Sequence, residues 1–332
     1  MNTTPFAEMA VHIRALQISQ MLHVAAEIGL ADCIGDAPRP VSELAVETQA
    51  NADMLLRLCR TLAAFDIFSV DAGSRVGHTP KSLYMRTDST PTLHYAARYW
   101  GMPSAWAMWG QFEHTVRTGE PAFELIYGMP NFDYLRTAPA EMAIFDAFMQ
   151  HSPDDRHHAV AKAYEFTGTV VDIGGGNGGL LQAVLAAYSA TRGVLQDQPA
   201  VVAGAVLGPL MDRCEIVGRS FFEGAPTGGD IYTLSQIIHD WNDARCLEIL
   251  GHCRRAMGPD ARLLVIERLI EEAPAATQPA ILLGDLHMAV VFPGARERTA
   301  TEMQALFDQS GFGPHRVIRT SSPFAIIETR PA

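Results

Sequence analysis

Among the side chains of this sequence that could move a proton, His239 occupies the most suggestive place. It lies in the run Ser235 to Asp243 (SQIIHDWND), where a strand-like apolar stretch from Ile231 to Ile238 delivers a histidine, Asp240 and Trp241 to one edge. An imidazole, with an ordinary pKa near about 6.5, is a candidate general base. Upstream, Val170 to Gly179 (VVDIGGGNGG) reads as a strand entering a glycine loop. Gly174, Gly176 and Gly179 satisfy GxGxxG, in which missing side chains let the backbone turn sharply and approach a ligand. Asp197 ends the next strand-like run, where a carboxylate can accept hydrogen bonds from both hydroxyls of a ribose.

These residues need elements to hold them. From Thr169 the chain alternates strand and helix: strands over 170–173, 193–196, 215–218, 231–238 and 262–267, helices over 180–188, 201–206 and 244–257. Such alternation predicts a mostly parallel sheet covered by helices on both faces. Strands over 316–320 and 324–329 are separated by only Ser321, Ser322 and Pro323, so they must pair antiparallel, because a parallel crossover needs a dozen or more residues.

The first part is helical. Met9, Ile13, Leu16, Met21, Ala25 and Ile28 recur at helical spacing. Ser42 is expected to cap one short helix and Asn51 or Asp53 a second, before a small hairpin over 67–70 and 75–78. This is a winged-helix-like pattern, for which a ligand-sensing DNA regulator is the alternative to a docking and dimerisation module. Only Arg57 and Arg60 offer cations on the second helix, in a chain of net charge −12, so nucleic acid is not expected as a partner. Between them, Tyr99, Trp100, Met102, Trp106, Phe145, Phe148 and Met149 supply core, and some of them, Met149 included, the wall of an organic-substrate pocket. The expected division is 1–90, a winged-helix-like dimerisation domain; 91–158, a helical linker contributing to the substrate pocket; and 159–332, the catalytic domain.

With 332 residues, 48% of them hydrophobic, the chain can bury a sizeable core. The five cysteines form no CxxC pair and their odd number leaves no complete internal pairing, consistent with reduced, cytoplasmic thiols. No apolar run approaches the about 18 residues of a membrane span, and the N-terminus lacks the pattern of a signal peptide. No metal is implied, since no HxxxH or carboxylate triad recurs at ligand spacing.

By itself the glycine loop with Asp197 serves NAD or S-adenosylmethionine equally. The ordered combination of Leu234 to Asp243, Leu264 to Arg268 (LVIER) and Phe292 to Thr299 (FPGARERT), with a terminal antiparallel hairpin, resembles the class I S-adenosylmethionine-dependent small-molecule O-methyltransferases of the plant caffeate and isoflavone type and their bacterial secondary-metabolite relatives. The resemblance implies an α/β fold with a Rossmann-like sheet behind a helical dimerisation domain, a homodimer, and an aromatic acceptor. It implies His239 as general base, flanked by Glu267 and Glu297. An ordinary phenol, with pKa near about 10, would not lose its proton fully to such a base, so the proton leaves as the oxygen attacks the methyl. For the cofactor it implies Asp172, Gly174, Gly176 and Asp197, with Ser220, Phe221, Ser235 and Trp241 beside them. For the acceptor it implies Asp240, Met288 and Phe292.

Departures from the plant pattern narrow the reading. Ser220 stands in GRSF where the family often has an aspartate, and Ser235 replaces a lysine four residues before the histidine. Phe292 replaces an asparagine that can bond a phenolic oxygen, so the pocket is expected to be more apolar than a caffeate pocket. N- or C-methylation, or a reaction on this fold without methyl transfer, remains the alternative chemistry.

Overall fold

The computed structural model describes residues 4–151, 155–205 and 207–332. The chain forms two compact units, one from Met1–Gly110 and Phe132–Pro153, the other from Gln111–Asn131 and Asp154–Ala332. The stretch 91–158 is therefore divided between both.

In the first unit the N-terminal apolar pattern forms two helices, Pro5–Ile13 and Ala15–Glu27, interrupted at Arg14. The helix Val41–Glu47 starts directly after Pro40 rather than behind a Ser42 cap. Asn51 does cap the helix Ala52–Ala63, its Oδ1 accepting from the Met54 amide at 3.1 Å. The hairpin forms as expected from β2 (Phe68–Val70) and β3 (Arg75–His78), and a two-residue strand, β1 (Arg39–Pro40), pairs with the free edge of β3. Leu30, Leu44, Cys59, Leu62, Phe68 and Val76 close this core. Tyr99 on the helix His94–Gly101 stacks on Phe148 of the helix Pro139–Gln150, ring centroids 4.4 Å apart, so part of the aromatic run is packing.

The second unit is built on a seven-stranded sheet. Its strands are β4 (Thr169–Ile173), β5 (Arg192–Asp197), β6 (Cys214–Gly218), β7 (Ile231–Ser235), β8 (Arg262–Glu267), β9 (Arg316–Arg319) and β10 (Ala325–Thr329). They lie in the order β6-β5-β4-β7-β8-β10-β9; the first five are parallel, and β10 runs antiparallel to both β8 and β9. Neighbouring residues of one strand enter different cores: Val171 and Leu263 pack on one face, Val170 and Leu264 on the other. That two-sided burial explains the unbroken apolar runs VV and LLVI. Strand order reverses beside β4, which opens a crevice at the carboxyl ends of β4, β5 and β7.

Two boundaries differ from expectation. The helix after β5 spans only Pro199–Val202, and Val206 lies outside the described residues. More consequentially, β7 ends at Ser235, not Ile238. Gln236 takes a left-handed conformation, φ 55°, and the chain enters a 3₁₀ turn, Ile238–Asp240. His239 thus sits on a turn beyond the strand. Among the described residues no helix is long and apolar enough to cross a membrane, and all five cysteines are free.

Candidate active site

The glycine loop leaves β4 in a conformation that excludes most side chains. Gly174 has φ 68°, and a Cβ there would fall 2.5 Å from Ile237 Cδ1; Gly176, at φ 60°, faces open space. The buried carboxylate of Asp172 accepts the Thr233 hydroxyl at 2.6 Å through Oδ1, while Oδ2 has no hydrogen-bond partner among the described residues. Burial pushes this carboxyl up to about 6, against the Thr233 hydrogen bond and with help from Asp197. Asp197 is preset by backbone amides: Gly176 donates to Oδ2 at 2.9 Å and Gln198 to Oδ1 at 2.7 Å.

Beside them, the fully buried Gln196 donates through Nε2 to the carbonyls of Arg219 (3.2 Å) and Gly224 (2.7 Å), fixing the loop that carries Ser220 and Phe221. Ser220 Oγ accepts from the Phe222 amide at 3.3 Å. Phe221 and Phe222 meet Trp241 edge to face, at 6.1 and 4.8 Å, and the Arg245 guanidinium lies 3.6 Å from the Phe222 ring centroid. The indole Nε1–H of Trp241 is buried without a described acceptor. Ser235 closes β7, half-buried.

An orphaned buried carboxylate oxygen, an orphaned indole donor, an open glycine cradle and a preset aspartate fit a ligand with a cation, an aromatic base and a ribose diol. S-adenosylmethionine has all three. Asp172, Gly174, Gly176, Asp197 and Trp241 are the residues suited to hold it.

The residues expected to move a proton gather at the His239 turn. Glu267, the last residue of β8, is almost fully buried. Its Oε1 accepts the amides of Ile237 (3.0 Å), Ile238 (2.9 Å) and His239 (3.4 Å), replacing the sheet partners these donors lost when β7 ended. Its Oε2 lies 3.1 Å from His239 Nδ1, off the ideal line of a ring N–H, and Glu297 Oε1 lies 3.6 Å from the same nitrogen. Nearest ligand-type atoms of the three side chains all fall within 4.8 Å of one another, a spacing that could also hold a cation. Burial pulls His239 down, but Glu267 and Asp240 outweigh it and hold the imidazole well above its usual value.

The residues expected on the acceptor side lie on separate elements. Met288 and Phe292 stand at the end of the helix Pro279–Val291, both half-buried, and the Phe292 amide donates to the Met288 carbonyl at 2.9 Å. This helix also reaches the acid: Asp285 Oδ1 accepts the Glu297 amide at 2.9 Å. Met149 stands on the helix Pro139–Gln150 of the first unit.

Sequence reasoning passed over the residues that brace the turn. Arg298, only 3% exposed, donates through Nη1 to the Ile238 carbonyl (2.8 Å) and through Nη2 to the Trp241 carbonyl (2.8 Å) and to Asp243 (2.8 Å). The Arg296 amide donates to the His239 carbonyl at 3.0 Å. The sequence marks FPGARERT and SQIIHDWND as segments, yet nothing in their spacing says that an arginine of one pairs with the aspartate that ends the other. His287, buried one position before Met288, was also missed; burial, then the neighbouring His239, pulls it down to about 4.

Comparison with known proteins places these features in a family. Residues 109–313 match the O-methyltransferase domain model and residues 11–94 the O-methyltransferase dimerisation domain model. The chain is 40% identical to a phenazine O-methyltransferase of Lysobacter antibioticus over 95% of its length and 93% of that protein's. It is 38% identical to the O-demethylpuromycin-O-methyltransferase of Streptomyces alboniger over 94% of its length and 86% of the other. Among solved structures, it is similar to an O-methyltransferase from neocarzinostatin biosynthesis in complex with S-adenosylmethionine and 2-hydroxy-5-methyl naphthoic acid. That match has a TM-score of 0.81 and 30% identity, and covers 95% of this chain and 96% of the other.

Proposed function

Because this chain belongs to the S-adenosylmethionine-dependent O-methyltransferase family, we propose that it methylates a hydroxyl on a fused or substituted aromatic secondary metabolite, with His239 receiving the hydroxyl proton. The observation that carries this reading is the convergence of Glu267 and Glu297 on one nitrogen of a buried histidine, at 3.1 and 3.6 Å, which keeps both glutamates off Nε2, the nitrogen that takes the acceptor proton.

Bound S-adenosylmethionine supplies an activated methyl group. What this chain adds is orientation and basicity. Asp197 presents a carboxylate preset by two amides for the ribose hydroxyls, and Asp172 offers negative charge in a dry site. His239 takes the acceptor proton, and Glu267 stabilises the imidazolium formed. Holding His239 above its ordinary value, through Glu267 and Asp240 against the effect of burial, narrows an otherwise uphill transfer from a phenol to an ordinary histidine. Met288 and Phe292 supply thioether and aromatic surface suited to a ring face. The phenazine named for one relative and the naphthoic acid in complex with another are fused aromatics of that shape.

We further infer a homodimer through the N-terminal domain, where residues 11–94 match the dimerisation domain. The helix Pro5–Ile13 has no buried residue, with Phe6 85% and Ile13 70% exposed, and an apolar groove of about 480 Å³ lies among Leu16, Met21, Val24, Met54, Leu58 and Trp106. Light scattering that returned the single-chain mass of 36.1 kDa would count against it.

The function is tested by incubating the protein with S-adenosylmethionine and a panel of hydroxylated phenazines, naphthoic acids and simple phenols, followed by mass spectrometry. Expected is a product carrying one added methyl on oxygen, formed in step with S-adenosylhomocysteine. Methylation at nitrogen or carbon, or no transfer across the panel, would overturn the reading.

A further inference from the structure

His239 meets a third carboxylate. Asp240 Oδ1 lies 3.2 Å from Nε2, the ring nitrogen that Glu267 and Glu297 leave unclaimed. The side chains of His239 and Asp240 are only 11% and 17% exposed, so water screens this contact weakly. The contact is attractive only while Nε2 carries a proton. With the single proton on Nδ1, on the Glu267 side, the Nε2 lone pair would lie beside a carboxylate oxygen 3.2 Å away, off the ideal line of a hydrogen bond, and the two negative groups would repel. A carboxylate so placed therefore raises the proton affinity of one particular nitrogen.

We propose that Asp240 is a positioning residue for methyl transfer: it directs the acceptor's proton to Nε2 of His239 and holds the imidazolium that results, rather than binding the acceptor. The acceptor O–H bond breaks as its oxygen forms the bond to the methyl carbon; the carbon–sulfur bond of the sulfonium would break with it, its electron pair leaving on the thioether sulfur, and the proton comes to rest on Nε2 of His239, 3.2 Å from the Asp240 carboxylate. The inference rests on reading His239 as the base.

Other charged groups around the ring do not duplicate this role. Glu267 from β8 and Glu297 from the segment before Thr299 address Nδ1. Arg268, Arg296 and Arg298 line the same small cavity. Arg298 spends its donors on carbonyls and Asp243, and Arg296 pairs with Asp243 and Glu302. His287, from the helix Pro279–Val291, is held neutral by burial. Asp240 alone among these faces Nε2.

The test is ¹⁵N-histidine NMR of the full-length protein with S-adenosylhomocysteine, His239 being assigned by its loss in His239→Gln, compared with Asp240→Asn and Asp240→Glu. Asp240→Asn is expected to lower the His239 titration midpoint by about one pH unit or more, the scale of losing a close carboxylate, and Asp240→Glu to restore part of it. In turnover assays with a phenol from the panel, the acid limb of kcat should move down in pH with the same variant. An unmoved midpoint, or a raised KM for the acceptor with an unmoved acid limb, would overturn the proposal and assign Asp240 to acceptor binding. An unimpaired His239→Ala would instead overturn the base itself, and the NMR comparison separates the two failures.

Discussion

Glu267 bonds the backbone of the His239 turn with one carboxylate oxygen and approaches the His239 ring with the other, at 3.1 Å. One side chain therefore sets both where the imidazole stands and how strongly it holds a proton. Backbone anchoring also keeps the carboxylate from swinging toward solvent, so the partner of Nδ1 is in place before any acceptor arrives.

The bracing of this turn from its carbonyl side predicts an unusual sensitivity at Arg298. Arg298→Lys keeps a charge but cannot reach two carbonyls and Asp243 at once. Turnover should fall about tenfold or more, as expected for slight misplacement of a catalytic group, while S-adenosylmethionine affinity stays within a factor of about two. Arg298→Ala should in addition lower thermal stability, because buried carbonyls lose their donor. Kinetics, calorimetric titration and thermal unfolding check these outcomes; a fully active Arg298→Lys would show that the turn needs no fork.

For the cofactor, the preset carboxylate of Asp197 is the most exposed to test. Asp197→Ala removes an ionised acceptor from the ribose site, and hydrogen bonds to charged groups contribute about 1.5–3 kcal/mol. Calorimetric titration should show affinity for S-adenosylmethionine weakened by about 10-fold or more. Unchanged affinity would place the ribose elsewhere.

His287 predicts a pH dependence of stability. Its folded pKa, about 4, lies below the unfolded value, so between about 6.5 and about 4 the unfolded chain binds the extra proton. Stability should therefore fall as the pH drops through that window, by about 3 kcal/mol from this group. His239 has the opposite sign: its stabilisation is present below about 6.5 and is lost as pH rises through its raised folded value. Thermal unfolding of His287→Leu at pH 7.5 and pH 5 should show a smaller acid loss than the parent; an identical loss would rule His287 out as its source.

Much of this was legible in the residues because it is local. The strand into VVDIGGGNGG, the position of Asp197 and the hairpin around Ser321 to Pro323 depend on periodicity, glycine and loop length, and the structure builds each where expected. The extent of β7 was not legible. IYTLSQIIHDW continues the apolar pattern past Ser235, and only Gln236 in a left-handed conformation and a carboxylate from β8 end it. The Arg298 brace and the Asp240 contact were hidden for the same reason: each depends on what a distant segment or a turn places at hydrogen-bond distance.

The most direct measurement is the turnover of His239→Ala beside its affinity for S-adenosylmethionine. With an aromatic hydroxyl acceptor at saturation, kcat should fall on the order of 10²-fold or more, the usual scale of a general base, while calorimetric titration finds cofactor affinity nearly unchanged. Turnover equal to that of the parent would contradict His239 as the proton acceptor.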